Sequence, residues 1–99
     1  MMDRDNLLKL AIELYGKDAQ MLMMIEEASE LTKAICKVFR ASDKDIGAAN
    51  EHVVEEIADC KIMIRQMELI FGSTDGWESL KIHRLEERMN AHIGQEEQP

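Results

Sequence analysis

The sequence predicts an all-α fold: a helical bundle centred on two long antiparallel helices. Three observations point to it. The only proline is residue 99, so nothing upstream breaks a helix by removing a backbone donor. Apolar residues recur at steps of three and four, the period of one helix face. Turn-forming residues gather at Gly16, at 42–47 and at 72–76, and these divide the chain into four segments.

The first segment, residues 5–15, carries Leu7, Leu8, Ala11 and Ile12 on one stripe. Gly16 ends it, and Asp18 is placed to cap the next helix. The second segment, 18–40, aligns Met21, Leu22, Met24, Ile25, Ala28, Leu31, Ile35, Val38 and Phe39. Residues 42–47 then form a polar turn. The third segment, 48–71, repeats the pattern with Val53, Val54, Ile57, Ala58, Ile64, Met67 and Ile70. A fourth helix, 77–92, presents Leu80, Ile82, Leu85 and Met89. Residues 94–99 read as a polar, frayed tail, which leaves 1–93 as a single domain. No segment alternates apolar and polar residues, so Asp75-Gly76 lacks the flanks of a hairpin turn.

With 99 residues the chain is marginal for a large core of its own. Completion of the bundle by homo-oligomerisation, as a homodimer or homotetramer, is therefore expected. Twenty acidic and twelve basic side chains give a net charge of −8, and no basic patch stands out. That balance argues against nucleic acid and anionic membranes as partners. No apolar run approaches the roughly 18 residues that span a bilayer. The opening MMDRDNLLKL has no apolar signal core, and Cys36 and Cys60 form no CxxC pair. The two read as reduced, buried thiols in a cytoplasmic protein.

The chemistry lies in the carboxylates. The second segment contains Glu26-Glu27-Ala28-Ser29-Glu30, and the third contains Glu55-Glu56-Ile57-Ala58-Asp59. Residues i and i+3 share a helix face, so Glu27 pairs with Glu30 and Glu56 with Asp59. If the helices pack antiparallel across the 41–47 turn, both pairs lie at similar distances from it. Four acids then converge, and a divalent cation is the natural compensation. Oxygen ligands without Cys or His point to Mg²⁺, with Mn²⁺ as a substitute. Acids on solvated faces are common, and Glu26 and Glu55, on the neighbouring stripe, are read that way ahead of the alternative that they bind a second ion. A di-iron site needs Glu-x-x-His, and the residues three before His52, His83 and His92 are Ala49, Leu80 and Met89.

The pattern ExxE, 25 intervening residues and ExxD resembles the MazG-like all-α nucleoside triphosphate pyrophosphohydrolases, in their short, phage-like form. Gln20 followed by IEEASELTKAI, then VVEEIADCKIMIRQMELIF and LKIHRLEERM, carry the resemblance over about residues 18–91. It implies that Glu27, Glu30, Glu56 and Asp59 ligate Mg²⁺ and serve catalysis. It implies a nucleoside triphosphate substrate cleaved to monophosphate and pyrophosphate, as in the clearing of surplus or non-standard nucleotides. Larger members carry two such domains or longer C-terminal segments, so one minimal copy implies completion by a partner.

Outer phosphates also need cations. Lys33 follows Glu30 by three, and Lys81, Arg84 and Arg88 step by three and four on the fourth helix. Lys33, Lys81 and Arg84 are the phosphate-binding candidates, ahead of Lys37 and Arg88. The competing reading pairs them locally, Arg84 with Glu87 and Lys33 with Glu30 or Glu26. Trp77 and Tyr15 are base-stacking candidates, although a lone Trp at a helix start is more often a packing anchor. His52 and His83 read as exposed, and the eight Met residues as adaptable core filler. The rival to an enzyme is a non-catalytic helical interaction or nucleotide-sensing module. The intact set of four acids favours the enzyme.

Overall fold

A computed structural model of the chain describes residues 2–97. It is all-helical: α1 (Arg4–Tyr15), α2 (Lys17–Arg40), α3 (Ile46–Phe71) and α4 (Asp75–Glu97), with no strand among the described residues. Asp3 caps α1, its carboxylate accepting from the Asn6 amide at 2.9 Å. Gly16, at φ 92°, closes α1 by donating to the Ile12 carbonyl and is also the residue from which α2 starts. An L side chain is strained at that φ, so glycine suits this one-residue joint. Asp18 does not cap α2. It lies inside the first turn, where its charge favours the helix dipole.

Residues 41–45 reverse the chain. The Ser42 carbonyl accepts from the amides of Asp45 and Ile46, each at 2.9 Å. α2 and α3 therefore pack side by side and antiparallel as the centrepiece, and α1 lies against both. Arg65 pins α1 by a two-pronged bond to Asp5, at 3.0 and 2.8 Å. That guanidinium holds the Asp5 carboxyl below its ordinary pKa, chiefly through the hydrogen bond.

The core is small. Leu8, Ala34, Cys60 and Met63 are its buried hydrophobic residues, joined by the buried polar Gln20, Glu56 and Gln66. The apolar stripes are expected from their period to turn inward as a whole, and they do not. Leu22, Ile25, Ile35 and Phe39 of α2 are exposed, as are Val54, Ile57 and Ile64 of α3. The reason is angular: these stripes wrap further round each helix than one neighbouring helix can cover. Cys36 is likewise exposed rather than buried. It follows the innermost residue Ala34 by two positions, about 200° around the helix.

α4 continues through Gly94 to Glu97, so the expected fraying of the tail is not seen there; residues 98–99 lie outside the described residues. Among the described residues it packs against none of the other three helices. Trp77 at its start is exposed and anchors no packing. The shape is correspondingly open. The radius of gyration is 18.5 Å, against about 13 Å for a compact chain of this length. No described helix is long and apolar enough to cross a membrane.

A depressed Asp5 pKa contributes stability that is present above the ordinary carboxylate range and lost as pH falls through the depressed value. Amide exchange, corrected for intrinsic rates, should therefore show α1 losing protection on acidification before α2 and α3 do. In Asp5→Asn, α1 should exchange fast already at neutral pH; equal protection in variant and wild type would show that the ion pair does not hold α1.

Candidate metal centre

The two long helices bring three of the four predicted acids together. Glu27 projects from α2, and Glu56 and Asp59 from successive turns of α3. One oxygen from each lies within 4.8 Å of the others. Glu56 is buried, at 8% exposure, and Glu27 and Asp59 are half-buried. The Cys60 thiol, next to Asp59, donates to the Glu27 carbonyl at 3.3 Å and ties the helices at this level. Burial first, and then the charges of Glu27, Glu56 and Asp59, push that thiol's pKa up, so it stays protonated and able to donate.

The cluster is electrostatically uncompensated. The Glu27 carboxyl is raised above its ordinary pKa by desolvation first, then by Asp59, Glu56, Glu26 and Glu30. Glu56 Oε1 stands 3.7 Å from His52 Nε2, a favourable contact when the ring is protonated. Glu56 Oε2 is buried with no hydrogen-bond partner. A buried carboxylate oxygen without a donor is costly, and a cation at the cluster would remove that cost. The donors are all hard oxygens, so the residues present fit Mg²⁺ or Mn²⁺ better than a softer metal.

Glu30 lies outside this group. It is half-exposed, one turn along α2, and takes the Lys33 ammonium at 3.5 Å. Glu26 and Glu55 are exposed, in keeping with the solvated reading. Lys37 is exposed on α2. Lys81, Arg84 and Arg88 lie on α4, away from the carboxylates, because α4 does not fold back onto α2 and α3. The local alternative for Arg84 is not formed either, since Glu87 pairs with His83 at 3.1 Å. Lys33 does take its local partner.

Two residues at the site carry no acidic-motif signal. His52 is half-buried rather than exposed, and the hint of its role is the four-residue spacing to Glu56. Cys60 has only its place beside Asp59. Tyr15 and Trp77 are both exposed, on different helices, and neither neighbours the cluster in sequence. No family model, curated protein or solved structure matches this chain.

A carboxyl raised above its ordinary pKa gives stability that is present at low pH and lost as pH rises through the raised value. Metal-free Glu27→Gln should therefore melt above wild type at neutral pH, with the gap closing on acidification. Mg²⁺ should raise the wild-type melting temperature and leave the variant's unmoved. A variant that melts lower at neutral pH, or that gains equally from Mg²⁺, would contradict the uncompensated cluster.

Proposed function

We propose that this chain is a Mg²⁺-dependent nucleoside triphosphate pyrophosphohydrolase of the MazG-like type, acting as a homo-oligomer. The observation that carries the reading is the cluster of Glu27, Glu56 and Asp59, with the partnerless oxygen of Glu56 inside it. The spacing of the acidic motifs, which resembles that family, supports the same reading. An acidic cluster repels a triphosphate unless a divalent ion reverses the local sign. When bound, such an ion neutralises phosphate charge and lowers the pKa of a coordinated water.

The chain's own residues have separable tasks. Glu27, Glu56 and Asp59 hold the ion, with Glu30 completing the set at the rim. Cys60 fixes the Glu27 backbone against α3, and this keeps the acids in register. One carboxylate of the cluster accepts the proton of the attacking water. Attack at the α-phosphorus breaks its bond to the bridging oxygen and releases monophosphate and pyrophosphate. Lys33 would exchange its local partner Glu30, 3.5 Å away, for a phosphate oxygen.

The open shape supports the oligomer. The chain exposes 8087 Å², about 2,300 Å² more than a compact monomer of 11.4 kDa does. Pyrophosphate release from a panel of ribo- and deoxyribonucleoside triphosphates tests the enzyme reading. Release should require Mg²⁺, stop with EDTA, and fall at least about a hundredfold in Glu56→Gln with helicity unchanged. Release from no nucleotide, or release indifferent to EDTA, would falsify it.

A further inference from the structure

The 23-residue α4 has its apolar side chains in water. Ile82, Leu85, Met89 and Ile93 are 43–64% exposed, and the helix touches no other helix of its chain among the described residues. A single helix of this length is marginal alone, so packing elsewhere must support it. Steps of three and four set Ile82, Leu85, Met89 and His92 on one line, the a, d, a and d positions of successive heptads. The preceding a and d positions hold Asp75 and Glu78, so the apolar seam begins at Ile82. Trp77 and Leu80 come before it and lie off its line.

The surface along this seam is shaped to receive a side chain. Leu85, Arg88, Met89 and His92 stand at i, i+3, i+4 and i+7, the four corners of a hole that a facing knob fills in a coiled coil. Together with Ile93 they line a surface concavity of about 390 Å³.

The charges beside the seam say what fills it. Lys81 and Arg88 take the g flank, and Glu86 and Ile93 the e flank. In two parallel helices in register, each g residue meets the e residue five positions on in the other helix. Lys81 then meets Glu86, and the aliphatic stem of Arg88 covers Ile93, each contact made twice by symmetry. Antiparallel helices would instead set g against g, Lys81 facing Arg88. Neither Lys81 nor Glu86 has an ion-pair partner in its own chain among the described residues. The β-branched Ile82 at a with Leu85 at d favours two strands, and the polar His92 in the seam fixes the register at a cost in stability. The helix is thus complementary to itself.

We infer that α4 pairs with α4 of a second copy as a short parallel two-stranded coiled coil, with Ile82, Leu85, Met89 and His92 in its seam. The three-residue connection 72–74, with Gly72 at φ 128°, turns α4 out of the bundle for this pairing. The two-fold axis runs along α4, and both α1–α3 units lie at the same end of the pair. Each acidic cluster stays within its own protomer and outside this interface. The inference therefore needs neither a metal ion nor the hydrolase reading. A seam of four layers buries less than a standard interface, so association depends on concentration.

Sedimentation equilibrium at low salt tests both the contact and its direction. The wild type should associate, and Leu85→Asp and Ile82→Asp should each halve the mass of the associated species. Amide protection in α1–α3 should be the same in both variants as in wild type, because α4 packs on none of these helices. Lys81→Glu places like charges opposite each other at both symmetric positions and should weaken association about fivefold. Adding Glu86→Lys should restore it. A wild type that stays monomeric, a mass unchanged in Leu85→Asp and Ile82→Asp, or protection lost from α1–α3 in these variants would overturn the pairing. Tighter association in Lys81→Glu is the outcome of an antiparallel pair, and tighter or unchanged association would overturn the direction.

Discussion

Three carboxylates occupy the interface that holds the central helix pair together. Glu27, Glu56 and Asp59 converge where a hydrophobic layer would stabilise more, and one oxygen has no partner. Like charges in a half-buried seam weaken it. The seam is closed on either side by other means: the Cys60 thiol bonded to the Glu27 carbonyl, Ala34 and Met63 packed tightly, and Arg65 fastening α1 to the far end. A helix pair that keeps acids at its centre depends on such small contacts, and a cation among the acids would relieve their repulsion.

The second consequence of that arrangement is thinness. Two long helices with one short one across them cannot surround their own apolar residues. Phe39, 85% exposed, and the free α4 are the clearest signs. The chain covers only part of its apolar surface, and its remaining apolar faces and the cations of α4 are turned outward together. In the proposed reading, oligomerisation and catalysis become one problem, because the surface left uncovered adjoins the charge left unbalanced.

Much of this is legible in the chain itself. The periodic apolar residues between 18 and 71 place α2 and α3 to within about two residues, because long runs at one period admit one secondary structure. The two acidic triplets at matched distances from the turn locate three members of the cluster, since an antiparallel hairpin brings such positions level. Other features are not legible. Periodicity marks apolar residues without saying which are covered, so Leu22, Ile25 and Cys36 read as core and are exposed. The direction of α4 depends on the backbone at Gly72–Thr74, which composition does not encode. The Asp5–Arg65 bond joins residues 60 apart and leaves no local trace.

Site and activity both depend on whether the acids between α2 and α3 form one site for a divalent cation. Titration with Mn²⁺, followed by loss of the free-ion electron paramagnetic resonance signal, measures this directly. The wild-type protein should take up Mn²⁺ saturably, Mg²⁺ should displace it, and Glu56→Gln should bind at least about tenfold more weakly while remaining folded. Uptake that is absent, or that is the same in Glu56→Gln as in wild type, would contradict a metal site between these helices.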